Sequence, residues 1–108
     1  MSFISAHVLD AVDGVPARAI QVSLSDGEGQ LIAEAVTNAD GRVADLGPDH
    51  LESGEYAVTF ATAPYFAARD RQTFFPRVTV HFAVADGERH YHVPLLLSAF
   101  SYTTYRGS

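Results

Sequence analysis

Five histidines, seven arginines and neither lysine nor cysteine delimit the chemistry open to this chain of 108 residues. Without cysteine there is no thiol nucleophile, no thiolate metal site and no disulfide scaffold. Without lysine, Schiff-base and Ser-Lys mechanisms fall away as well. What remains is acid–base and electrostatic work by His, Arg, Asp, Glu, Ser, Thr and Tyr. Four stretches concentrate those types: His7 in "AHVLD", Arg42 in "ADGR", His90 and His92 in "HYH", and Tyr105 to Ser108 in "YRGS". A neutral imidazole near pH 7 is suited to taking a proton from water, and a fixed guanidinium is suited to an anionic or multiply carbonylated ligand.

Each of these residues also has an ordinary structural reading. In "FISAHVLD", period-two alternation puts Ile4, Ala6 and Val8 on one face of a strand and Ser5, His7 and Leu9 on the other. His7 is therefore turned away from the core, where a lone histidine is commonly a surface residue. Arg42 follows a tight turn, where arginines are commonly just solvated. His90, His92 and Pro94 share a face opposite Tyr91, Val93 and Leu95. Two such histidines can reach one ion, but no nearby Asp or Glu completes a ligand set, so neither a metal nor another cofactor is expected. His81 reads as a solvent-facing strand residue and His50 as a loop residue. The closing "HYHVPLLLSAFSYTTYRGS" is rich in rings and hydroxyls where chain ends are usually loose, which predicts that it is anchored and used.

The elements that would position these groups are strands. "RAIQVSLS" alternates as Ile20, Val22 and Leu24 against Gln21, Ser23 and Ser25. "EYAVTFA" and "RVTVHFAV" do the same, "QLIAEAVT" less cleanly, and "NADGR" marks a turn. Residues 62–71, "TAPYFAARDR", read as a short helix with Thr62 as N-cap and Pro64 in the first turn. Seven or eight strands at turn spacings near ten residues predict an all-β sandwich, and the length predicts one domain over residues 1–108. Pro94 predicts an edge or bulged strand, since proline cannot donate to a ladder, and an edge is where two subunits could pair. A net charge of −6 argues against nucleic acid or an anionic membrane as partner and leaves a small ligand. No apolar run approaches the roughly 20 residues that span a bilayer. The opening "MSFISAHVLD" lacks a basic n-region and long apolar h-region, and "RGS" is no peroxisomal address, so the cytoplasm is the expected location.

Beyond these residue-by-residue readings, "AHVLDAVDGVPA", "TNADGRVADL", "TAPYFAARDRQTFFPRVTVHF" and "HYHVPLLLSAFSYTTYRGS" together resemble the 5-hydroxyisourate hydrolases, transthyretin-related enzymes of urate degradation. The resemblance covers nearly the whole chain. "HYHVPLLLS" with a closing "YRGS" is its specific part, whereas "VLDAVDGVPA" is shared with transthyretin, a hormone carrier on the same scaffold. Transthyretin has lysine where His7 stands, threonine where His92 stands and no "YRGS". One departure is Ala99, where the family commonly has proline, with an expected effect on the loop rather than the chemistry. The resemblance implies two four-stranded sheets with one short helix, a homotetramer built as a dimer of dimers, and active sites where dimers meet. It implies hydrolysis of 5-hydroxyisourate to 2-oxo-4-hydroxy-4-carboxy-5-ureidoimidazoline without metal. By that resemblance His7, Arg42, His92 and Ser108 are the expected catalytic residues, and His7, Arg42 and Tyr105 the expected substrate contacts. The alternative is a transthyretin-type small-molecule carrier without turnover.

Overall fold

A computed structural model describes residues 2–108. Nine strands and one helix follow in the order β1 (Ile4–Asp10), β2 (Val15–Pro16), β3 (Gln21–Asp26), β4 (Leu31–Val36), β5 (Arg42–Val43), β6 (Gly54–Phe60), α1 (Ala63–Ala67), β7 (Val78–Val84), β8 (Tyr91–Leu97) and β9 (Tyr102–Thr104). One sheet runs β2-β1-β8-β9 with β5 also paired to β1, and the other runs β4-β3-β6-β7. The expected all-β sandwich with a short helix is thus present. The first sheet gains a fifth, two-residue strand, because β2 and β5 divide one edge of β1 between them.

Alternation decides which way each strand faces. Along β1, Ile4, Ala6, Val8 and Asp10 are buried while Ser5, His7 and Leu9 are half-buried. Ile4 and Val8 from β1, Val22 and Leu24 from β3, Val58 and Phe60 from β6, and Leu95 and Leu97 from β8 are sealed between the sheets. Fully burying side chains of this size stabilises by about 1.5–3 kcal/mol each, and this fixes the register, since a slip of one residue would turn the core set to solvent. β1 and β8 run parallel, aligning Ser5 with His92 and His7 with Pro94. The remaining ladders are antiparallel. Among the described residues no helix is long and apolar enough to cross a membrane.

Two expectations are corrected. The helix is Ala63–Ala67 rather than 62–71. Asp70 takes φ +54°, Arg69 and Arg71 both donate their backbone N–H to the Phe66 carbonyl, and the Arg71 guanidinium is drawn to Asp10 at 2.8 Å. Thr62 does not cap the helix with its side chain, because its buried hydroxyl donates instead to the Phe75 carbonyl. The strand carrying Pro94 lies between β1 and β9 and is not an edge. Tyr91 gives its N–H to Phe3 beside β1, and the His92 carbonyl accepts from Gly107 on the other side. Backbone groups alternate along a strand, so the Pro94 nitrogen faces the closing segment, where regular pairing stops after Thr104 and resumes at the His92–Gly107 bridge. The Pro94 carbonyl accepts from the Thr104 hydroxyl at 2.8 Å, so the interrupted ladder keeps a tie there.

Beneath the β1 end, Asp10 is 1% exposed and accepts hydrogen bonds from Tyr65 Oη at 2.7 Å and from the backbone N–H of Val12 and Asp13 at 3.0 Å each. Burial pushes the Asp10 carboxyl up, but the bonds from Asp13, Tyr65, Arg71 and Val12 outweigh it and hold it below its ordinary value. The Tyr65 phenol is pushed up to about 12 by burial and by its bond to Asp10. This group ties the helix to β1 and stands on the face opposite His7.

Candidate active site

The first sheet's outer face carries the polar residues. β1 supplies Ser5 and His7, β5 supplies Arg42 directly opposite His7, and β8 supplies His92 directly opposite Ser5. Arg42 is set by the "NADGR" turn. The Asn38 side-chain oxygen accepts from the N–H of Asp40 and Arg42 at 2.9 and 3.0 Å, and Gly41 has φ +72°. A Cβ at Gly41 would stand 2.3 Å from the Val8 carbonyl oxygen, so only glycine lets the turn close against β1. The same turn presents the Asp40 carbonyl to His7 Nε2 at 3.0 Å.

The two imidazoles lie with centroids 6.4 Å apart and planes inclined by 33°. Both are less basic than free imidazole. For His7 burial is the main cause and the Arg42 charge the next, partly opposed by the bond to the Asp40 carbonyl. For His92 burial again leads, followed by the charges of Arg42, His7 and His90. Both rings are therefore biased toward the neutral form near pH 7, the form a general base needs, with burial the leading cause and the Arg42 guanidinium the next.

Arg42, His92 and Ser108 meet at one open cleft of about 640 Å³, with Ser5 and His90 also on its wall. Ser108 arrives there because Gly107 donates its N–H to the His92 carbonyl at 2.9 Å. A Cβ on Gly107 would lie 2.5 Å from His92 Cδ2, so the closing segment lies directly on the imidazole. Tyr105 is placed elsewhere. It is 57% exposed and lines a second cavity of about 470 Å³, with Phe82, Tyr91 and Arg106, that shares only His92 with the cleft among the expected site residues. His81 and His50 are exposed, and His50 stands edge-on to Phe3 at 5.5 Å.

Ser5 and Gly107 escaped the residue-by-residue reading, and His90 was read there only as half of a possible ion site. Ser5 Oγ lies 2.8 Å from His90 Nε2 and 2.7 Å from His92 Nδ1, so it bridges the two histidines. His90 Nδ1 lies 3.2 Å from the Ser2 carbonyl. Gly107 holds the closing segment against the His92 ring. Ser5 had a usable signal, since it stands two residues before His7 on the same strand face. Gly107 had none, because its role depends on a strand pairing that local pattern does not encode.

Known proteins share this fold closely. A 5-hydroxyisourate hydrolase of Salmonella dublin is 40% identical over 111 aligned positions, covering 99% of this chain and 82% of that protein. The solved structure of the Klebsiella pneumoniae 5-hydroxyisourate hydrolase superimposes with a TM-score of 0.90 at 40% identity, covering 99% of this chain and all of that one. The transthyretin of Sparus aurata superimposes equally well, TM-score 0.90, at 33% identity over 99% of this chain and 97% of its own. Residues 4–107 match the sequence model of the HIUase/Transthyretin family, and the chain belongs to that family.

Proposed function

We propose that this chain hydrolyses 5-hydroxyisourate to 2-oxo-4-hydroxy-4-carboxy-5-ureidoimidazoline. The relatives that bear the hydrolase name support an enzyme. The observation that carries the substrate and mechanism is the cluster of His7, Arg42 and His92 on one sheet face, two neutral imidazoles beside one guanidinium. The fold cannot separate hydrolase from carrier, because both kinds of relative superimpose equally. The two histidines favour the hydrolase.

In this reading His7 takes a proton from water as the water oxygen bonds to the attacked carbonyl carbon. His92 is its partner, positioning the water or handing the proton on. Arg42 stabilises the negative charge that grows on the carbonyl oxygen, and removal of such a stabiliser typically costs about 10²–10³ in turnover. The ring C–N bond then breaks and the proton is delivered to the departing nitrogen, so only water is consumed. Ser108, at the cleft wall, orients the water or a histidine. Tyr105 contacts the substrate only if the assembly brings it to a cleft, since within one chain it faces the second cavity.

The reading includes a homotetramer, a dimer of dimers with sites closed where dimers meet, working in the cytoplasm. Arg42 and Ser108 are exposed in the single chain, as is a row of aromatics near β9 that includes Phe74 at 72% and Phe100 at 70%. Such surfaces support burial against further copies. The decisive experiment follows the ultraviolet decay of 5-hydroxyisourate made in place by urate oxidase, with the chain added in catalytic amount. Faster decay that is lost in His7→Asn and His92→Asn supports the reading. Decay at the spontaneous rate with a folded assembly, accompanied by tight binding of iodinated aromatics, moves the chain to the carrier class.

A further inference from the structure

We infer that Ser5 and His90 are positioning residues that lock His92 in one tautomer, with the proton on Nδ1 and a bare lone pair on Nε2. The inference deepens the hydrolase reading and rests on it for its kinetic consequence, but the tautomer itself can be observed without turnover. It follows from the direction in which each hydrogen bond of one chain must run. The Ser2 carbonyl can only accept, so His90 Nδ1, 3.2 Å away, carries a proton and donates it. In a neutral ring the other nitrogen, Nε2, is then an acceptor. Its partner at 2.8 Å is the Ser5 hydroxyl, which therefore points its single proton at His90. With that proton committed, Ser5 Oγ has only lone pairs left for His92 Nδ1 at 2.7 Å, and His92 Nδ1 must be the donor. His92 Nε2 is left without a proton.

Every link in this chain is held by the backbone rather than by side-chain flexibility. Ser5 and His92 are register partners across the parallel β1–β8 ladder, and His90 immediately precedes β8. Ser2 is tied at its own N–H to Asp45 at 2.8 Å and through its hydroxyl to the Ile4 carbonyl at 2.7 Å, so the terminal acceptor is fixed as well. Gly107 closes the opposite side of the His92 ring. His7 is set in the complementary sense. The Asp40 carbonyl at 3.0 Å requires a proton on His7 Nε2, which leaves its lone pair on Nδ1. Each imidazole thus keeps one nitrogen as an acceptor in the resting state, Nε2 on His92 and Nδ1 on His7, the two ring centroids lying 6.4 Å apart. A histidine whose second nitrogen is held by a partner has its tautomer chosen by that partner, and at metal-bound histidines loss of such a partner costs about 10–100-fold, which sets the scale expected on loss of Ser5.

The test uses the intact chain labelled with ¹⁵N at histidine, with long-range ¹H–¹⁵N correlations recorded at about pH 8, above the ordinary imidazole range. His92 is expected as a pure Nδ1–H tautomer. Ser5→Ala, which removes the acceptor of that proton, is expected to give a mixture or the Nε2–H form and to lower kcat about 10–100-fold. KM should change far less, since Ser5 orients the His92 ring rather than holding substrate. Ser5→Thr keeps the hydroxyl with a residue suited to a strand and is expected to restore both the tautomer and the rate. His90→Phe, which breaks the chain one link further out, should loosen the tautomer in the same direction. An Nε2–H tautomer for His92 in the unaltered chain overturns the inference, as does a Ser5→Ala variant that folds and keeps both tautomer and kcat. If the chain proves inactive toward 5-hydroxyisourate while the tautomer behaves as stated, the substrate reading fails and the relay stands.

Discussion

Gly107→Ala puts the closing segment's role to a strict test. The added Cβ would lie 2.5 Å from His92 Cδ2, 3.2 Å from Cγ and 3.3 Å from the His92 Cβ. Ordinary carbon–carbon contact starts near 3.5 Å, so the ring or the segment must give way by about 1 Å. The ring cannot move freely, because its Nδ1 is held to Ser5 at 2.7 Å. If the segment moves instead, the Gly107 N–H bond to the His92 carbonyl is lost and Ser108 leaves the cleft with it. Displacement of a catalytic group by about 1 Å costs about 10²-fold in rate, or about 2.7 kcal/mol of barrier. Stopped-flow decay of 5-hydroxyisourate should therefore show kcat/KM lowered about 100-fold, with circular dichroism unchanged because Gly107 lies outside the core. A variant within about twofold of the parent would refute the claim that the closing segment positions His92.

Replacing His7 or His92 by Asn should lower turnover by about 10²–10⁴-fold while the fold survives, read by the same decay assay; near-normal turnover removes that residue from the mechanism. The pH–rate profile should hold its plateau below pH 6.5 and fall only as acid reaches the lowered values of His7 and His92. A limb at or above the free-imidazole value would contradict the burial and Arg42 effects. The same shifts carry a stability consequence. As pH drops below 6.5, the unfolded chain takes up protons at these rings before the folded one does. Their contribution is thus complete above that value and is lost toward the folded-state values, which urea midpoints across the range will register. Asp10→Ala strands the Tyr65 hydroxyl, two backbone N–H groups and the Arg71 charge, and should destabilise by about 3 kcal/mol or more. Turnover per folded molecule should be kept, and a urea midpoint equal to the parent's would show that the group adds nothing.

Much of this architecture was legible in the sequence, but unevenly. Alternation in "FISAHVLD" and "HYHVPLLL" places Ser5, His7, His90 and His92 on faces away from the core, because side-chain direction along a strand follows from the backbone alone. "NADGR" announces the turn that carries Arg42, because Asn and Gly favour it locally. Absence of cysteine and lysine narrows the chemistry without any structure.

Local pattern could not say which strand lies beside which. The parallel pairing of β1 with β8 brings together Ser5 and His92, 87 residues apart, and thereby orients a hydroxyl between two histidines. The same pairing makes the strand of Pro94 internal despite its proline, since the missing N–H falls at the gap in the ladder before Gly107. Tyr105 shows the converse. Ser108, three residues on, reaches the cleft, but Tyr105 lines another cavity together with Thr104 and Arg106. Strand faces are set by the covalent geometry of each segment, so the sequence alone determined them. Strand partners and register are set by the burial of the whole core, Ile4 and Val8 against Leu24, Phe60 and Leu95, and only the tertiary structure decided those.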